Sequence, residues 1–343
     1  MRDDASDHAA LSSRARGRRG AASRRLAVAL AWALAALSAS AASAAGPEQI
    51  ALTDGLTSFE LVAPAGRQPA DCPLVVLVAG YAVPMVVWND TVPALVARGF
   101  AVLRFDLYGR GQSSRPHVDY TPDLFAGQLH ELVTRLAPRL KSPVRFHIVA
   151  SSMGGVVAAV FASRHPDVVE RVVLVSPAGL SGKFPPVLTL LKVPGLGPWY
   201  FRTWFKNIML DHLHDNLLDD YRRYPDMLVE FHRQLAVPGS ADAMYSTLRH
   251  TLLRDNTDDF RVLGGLHRPT RVVWGVEDHL VPFRDSRKAL GSSIPHHQLC
   301  AVPRAAHLPQ LEQPRVFNAL VTQFLATDST GEPFVPCEEA LLK

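Results

Sequence analysis

The chain has 343 residues, 48% apolar and 20% charged, enough to bury one sizeable core and too hydrophobic to stay unfolded. Residues 1–44 hold seven Arg against three acids and so carry the whole net charge of +4; the remainder is neutral, which excludes a basic stripe for nucleic acid. Three cysteines, Cys72, Cys300 and Cys337, are too few for a disulfide framework and lack zinc-ligand spacing; one bridge can form, with partners that the sequence does not fix.

The N-terminus opens on an Arg-rich stretch, Arg14 to Arg25, then the apolar run Leu26 to Leu37 and the small-residue triplet Ala42-Ser43-Ala44. That is the layout of a secretory signal peptide over residues 1–45, which predicts export, secreted or periplasmic; a retained N-terminal membrane anchor is the alternative. Thr57 to Val62 reads as an edge strand, and Pro73 to Ala79 as an apolar run typical of a strand buried on both faces. Trp88, Val92, Leu95 and Val96 recur at helical spacing over 85–99, and Phe100 to Leu107 is the next strand. Thr121 and Pro122 read as N-cap and first position of a helix reaching about Lys141. Val144 to Ala150 is β-rich, Val156 to His165 helical, and Arg171 to Val175 a strand. Strands then vanish and aromatics gather, among them Phe184, Trp199, Tyr200, Trp204 and Phe205, so residues 179–265 read as an inserted helical cap. Strands resume at Thr270 to Trp274 and at His297 to Val302, Pro314 to Ala326 is a helix, and residues 329–343 read as a loose tail.

This alternation predicts an α/β fold. A mostly parallel central sheet, with helices on both faces, is built from residues 46–178 and 266–328, and ligands bind at the carboxyl ends of its strands. The chemistry-bearing stretches fall at those ends. Ser152 sits at the apex of an abrupt strand-to-helix turn, Ala150-Ser151-Ser152-Met153-Gly154, where small residues flank the serine at two positions on either side. Asp278 lies in Gly275-Val276-Glu277-Asp278, beyond the strand ending at Trp274, and Gly275 is expected to let the chain leave the sheet. His307 lies in Ala306-His307-Leu308-Pro309, beyond the last strand. A serine hydroxyl needs a base in reach to become a nucleophile, and that base needs an acid to orient it.

The Ser152 turn resembles the nucleophile elbow of the α/β-hydrolase superfamily, usually Gly-x-Ser-x-Gly, with Ala150 for the first Gly. The Asp278 loop resembles the family's acid loop, and His307 through Glu312 to Pro314 its histidine loop. Asp106-Leu107-Tyr108-Gly109-Arg110-Gly111-Gln112-Ser113 matches a family loop whose role is structural. The resemblance covers about residues 57–178 and 266–326 and is weak in the cap. It implies a serine hydrolase with Ser152 as nucleophile, His307 as base and Asp278 as its orienting acid. It also implies backbone N–H donors for the oxyanion at Met153 and Tyr81, and no metal or organic cofactor.

The expected activity is hydrolysis of a small-molecule carboxylic ester, with a lean toward lipid or monoacylglycerol esters, and no obligate protein partner is evident. The alternatives are a carbon–carbon bond hydrolase of the meta-cleavage-product type, whose elbow also often reads Ser-Met-Gly-Gly, and a catalytically silent binding protein on the same scaffold. His212-Leu213-His214, between Asp211 and Asp215, reads as a solvated helix rather than a metal site.

Overall fold

Leu74–Val78 is wholly buried, all five side chains apolar, and it stands near the middle of an eight-stranded sheet. The computed structural model describes residues 46–180, 191–326 and Cys337. The strands are β1 (Glu48–Leu52), β2 (Gly55–Val62), β3 (Leu74–Val78), β4 (Ala101–Phe105), β5 (Phe146–Ser151), β6 (Val169–Val175), β7 (Thr270–Gly275) and β8 (His297–Val302). Their spatial order is β1-β2-β4-β3-β5-β6-β7-β8. β1 and β2 form an antiparallel hairpin, β2 meets β4 antiparallel, and every later pairing is parallel. The mostly parallel sheet expected from the alternation is therefore present. The residue 57–62 strand is not the edge, however. β1 covers it, with the polar Glu48 and Gln49 that an exposed rim tolerates and that hide a strand from a hydrophobicity reading.

From β3 the chain crosses to β4 on one side, then returns across β3 to β5 on the other. The carboxyl ends of β3 and β5 thus diverge at a topological switch point, the place where open α/β sheets hold ligands. The register pairs Val78 with Ala150, so the loop after β3 and the turn after β5 lie side by side.

The helices that carry these crossovers are α1 (Thr91–Ala97), α2 (Pro122–Leu136), α3 (Met153–Arg164), α8 (Phe283–Ser293) and α10 (Pro314–Leu325), with the short α9 (Pro309–Glu312) before the last. The helical periodicity over 85–99 resolves into a 3-10 turn, Met85–Trp88, and then α1, which Asn89 and Asp90 separate. Thr121 caps α2 as expected, its side chain accepting from the Leu124 N–H, but the regular helix stops at Leu136, just before Pro138. α3 is buried from Met153 through Ala162, because its Gly, Ala and Val side chains let it lie close on the sheet.

Between β6 and β7 the described residues hold α4 (Leu196–Asp215), α5 (Pro225–Ala236), α6 (Ser240–Thr247), a π-turn at Leu248–Leu252 and α7 (Thr257–Gly265), with no strand among them. Phe184 lies outside the described residues, as does the leader. α7 packs against α3 and α8, so it joins the helix layer of the sheet, although the segment expected as cap extended to residue 265. Of the tail from residue 329 the structure describes Cys337, and this residue is tied to β8 by a disulfide with Cys300. Cys72 is free and buried.

Candidate active site

Ser152 follows β5 directly and adopts φ 54°, ψ −121°, a conformation costly for any residue with a side chain, by about 1–3 kcal/mol. The neighbouring backbones explain why the turn needs small residues. A Cβ on Gly154 would lie 2.6 Å from the Val78 carbonyl oxygen and 2.8 Å from that of Ala79, at the end of β3. A Cβ on Gly80 would lie 3.2 Å from the Ser152 Cβ. The loop after β3 and the serine turn are thus in direct contact, with the N-terminus of α3 behind the serine.

β7 delivers Asp278 and β8 delivers His307. Their loops lock together through main chain and carboxylates: Glu277 N–H donates to the Ala305 carbonyl at 3.0 Å, and Ala305 N–H to Glu277 Oε2 at 3.1 Å. A Cβ on Gly275 would lie only 1.9 Å from the Ala306 carbonyl oxygen, so this glycine is needed for close approach rather than for a turn angle. Asp278 Oδ1 accepts from the Val281 N–H at 2.8 Å, and Oδ2 faces His307 Nδ1 at 2.8 Å. His307 Nε2 faces Ser152 Oγ at 2.8 Å. The network fits the tautomer in which Nδ1–H donates to Asp278 and Nε2 accepts from the serine hydroxyl. The structure therefore brings the three residues singled out in the sequence into one contiguous chain, though 155 positions separate Ser152 from His307. All three are buried, with Ser152 the most accessible at 8%.

Tyr81 is buried beside them, and Met153 is the first residue of α3. The Tyr81 loop is held from outside the sheet. Arg110, fully buried and without an ion pair among the described residues, donates from Nε to the Tyr81 carbonyl at 2.7 Å and from Nη1 to Thr247 Oγ1 at 2.9 Å. Burial lowers its pKa to about 10, which leaves it charged at neutral pH. Tyr81 Oη donates to the Met244 carbonyl of α6 at 2.9 Å, and Gln234 of α5 donates to the Ala82 carbonyl. Asp106 takes the structural place expected of its loop, accepting from Met85 N–H at 2.8 Å and Gln112 N–H at 2.9 Å.

Three participants escape a sequence reading. His212 is not on a solvated face: its ring stands edge-on to Tyr81, with centroids 5.4 Å apart, and burial, then the nearby His307, lower its pKa to about 4. Asn216, one turn later, accepts the His307 N–H on its carbonyl at 3.1 Å. Glu312, legible only as part of the histidine-loop pattern, accepts from Leu218 N–H at 2.6 Å and from Ala306 N–H at 2.7 Å, and so joins the helical segment to the histidine loop. No group of three or more His, Cys, Asp or Glu that could hold a metal occurs among the described residues.

Burial raises the Glu312 pKa from 4.5 to about 7, overcoming the two N–H donors. Between these values the folded carboxyl holds a proton that the unfolded one has released, so stability should fall as pH climbs from about 4.5 to about 7 and level off above. Denaturant midpoints measured across that window should show this slope in the wild type and a flatter one in Glu312→Gln.

The strand order, the elbow after β5 and the loops after β7 and β8 define the architecture of the α/β hydrolases. A family model for the alpha/beta hydrolase fold matches residues 73–314, and the chain belongs to that family. It is 29% identical over 257 residues to a 2-hydroxy-6-oxononadienedioate/2-hydroxy-6-oxononatrienedioate hydrolase of Cupriavidus pinatubonensis, covering 69% of this chain and 80% of the relative. It is 25% identical over 282 residues to the monoacylglycerol lipase abhd6-B of Xenopus laevis, covering 76% and 77%. Among solved structures, the enol-lactonase of Burkholderia xenovorans LB400 shares the fold with a TM-score of 0.66 and 22% identity, covering 81% of this chain and 99% of that one.

Proposed function

We propose that the chain is a serine hydrolase that cleaves carboxylic esters through an acyl-enzyme. The observation that carries this reading is the unbroken run of contacts from Asp278 through His307 to Ser152, 2.8 Å at each step. Ser152 Oγ attacks the acyl carbon while its proton passes to His307 Nε2, and the imidazolium that forms is held by Asp278. The negative oxygen of the adduct is met by the main-chain N–H groups of Tyr81 and Met153, the second at the positive end of α3. The carbon–oxygen bond to the alcohol then breaks, and His307 returns the proton to the leaving oxygen. A water deprotonated by the same imidazole attacks the acyl-enzyme and releases the acid. The helices from α4 to α6 act as a cap over this site and select the acyl group.

The lean toward lipid esters draws support from the lipase relative. The relative that hydrolyses a 2-hydroxy-6-oxo dienedioate supports a second reading, carbon–carbon cleavage by the same triad. One panel separates them: purified protein offered esters of graded acyl length beside a 2-hydroxy-6-oxo dienoate. Turnover of esters rising with acyl length is expected. Turnover of the dienoate alone would replace the ester reading, and equal rates on acetyl and long-chain esters would remove the lipid lean.

We further infer that the protein works outside the cytoplasm. The Cys300–Cys337 bridge supports this, since such bonds persist in oxidising compartments. Fractionation should find the bridged, leader-free chain outside the cytoplasmic membrane, and a reduced chain confined to the cytoplasm would refute the inference.

A further inference from the structure

α4 buries one stripe of side chains, Gly197, Phe201, Phe205, Met209 and Leu213, at intervals of one turn. His212 lies on the flank of that stripe, three residues after Met209 and four before the buried Asn216, so it shares their side of the helix. Its neighbours Asp211, His214 and Asp215 are exposed, whereas His212 keeps only part of its surface open. Tyr81 meets it with its ring, 5.4 Å between centroids, while the Tyr81 hydroxyl is engaged by the Met244 carbonyl. His307 is close enough that a charge on one imidazole opposes a charge on the other.

The main chain fixes this placement. The N–H and the side-chain amide of Asn216 both donate to the His212 carbonyl, and the Asn216 carbonyl accepts from the His307 N–H at 3.1 Å. The ring is therefore carried on the very turn that holds the histidine loop. What it lacks is a hydrogen-bond partner: among the described residues neither of its nitrogens has one. Polar groups inside a protein normally find partners, and this ring can find them in what enters beside Ser152.

Charge and position say what that is. Burial, then His307, lower the His212 pKa to about 4, so at neutral pH the ring is uncharged and offers one N–H and one lone pair. A carboxylate or phosphate calls for a cation; a hydroxyl, donor and acceptor at once, matches a neutral imidazole. The leaving oxygen takes its proton from His307, and the oxyanion is met at Tyr81. A side chain beside both residues borders the alcohol half of the ester, not the acyl half.

We propose that His212 binds a hydroxyl group on the alcohol portion of the substrate, next to the scissile ester, so that the site takes monoesters of a polyol such as glycerol. This inference rests on the ester reading of Ser152 and adds the alcohol side to it.

The test compares the glyceryl and the propyl ester of butanoic acid, which share an acyl group and differ in the hydroxyls. The parent should show kcat/KM about tenfold or more higher on the glyceryl ester. His212→Phe should lower that ratio about tenfold or more, and His212→Gln, which keeps a donor and an acceptor, should restore part of it. If the Phe variant does not fold, the ratio is read in His212→Ala. The ratio is the informative quantity, because a ring that merely props Tyr81 or His307 would slow both esters alike and leave it unchanged. Hydrolysis of both esters with a parent ratio near one, or with a ratio that the variants do not move, overturns the proposal and leaves the ester reading standing. Turnover of neither ester, with cleavage of a 2-hydroxy-6-oxo dienoate, overturns both.

Discussion

Ser152→Ala is expected to lose reaction with a fluorophosphonate altogether and to lower turnover of any substrate by roughly six powers of ten. The probe reports the serine directly: Oγ forms the bond to phosphorus as fluoride leaves. His307→Ala should label very slowly and fall about as far in kcat, and the double variant should fall no further. A base without a nucleophile and a nucleophile without a base are equally disabled, so the losses do not add. Asp278→Asn should lose about four powers of ten, because its amide cannot hold the Nδ1–H tautomer that the 2.8 Å contact with His307 implies. A Ser152→Ala protein that keeps more than a tenth of the parent rate would end the serine-hydrolase reading, and with intact ligand affinity it would favour a binding protein.

Gly275→Ala should be strongly damaging although it adds a single methyl group. The new Cβ would sit 1.9 Å from the Ala306 carbonyl oxygen and 2.5 Å from that of Ala305, and both are backbone atoms that no rotamer change can move aside. The histidine loop must shift outward, away from Val276 and Glu277, whose N–H groups now donate to the Val302 and Ala305 carbonyls. Overpacking of this kind costs about 3 kcal/mol, and here it also draws His307 off Asp278. Denaturation should show the stability loss, and kcat should drop in protein that is still folded. Gly291→Ala is the control. It lies within α8 with nothing inside 4 Å of the new methyl, and it should be neutral or slightly stabilising, as alanine is in a helix interior. Equal behaviour of the two variants would refute the close-approach account.

Much of the site was legible because parallel strands buried on both faces announce themselves as apolar runs. β3, β5 and β7 are such runs; Ser152 and Asp278 lie just past β5 and β7, and His307 past the half-buried β8. What stayed hidden depends on neighbours remote in the chain. β1 carries Glu48 and Gln49 and needs its hairpin partner to become a strand. The role of Gly275 depends on two carbonyls about thirty residues later, which its own neighbours in the sequence do not announce. His212, flanked by acids and another histidine, has the local character of a solvated helix, and only the packing of α4 over Tyr81 makes it a neighbour of His307. The pairing of Cys300 with Cys337 leaves no trace in their spacing.

The helices between β6 and β7 are fastened to two separate loops beside the buried serine. Met244, Gln234 and Thr247 hold the Tyr81 loop, directly or through Arg110, while Asn216 and Leu218 hold the histidine loop. The loop after β3 and the loop after β8, four places apart in the sheet, are thus tied to each other through one helical segment, and a change in that segment reaches both of them.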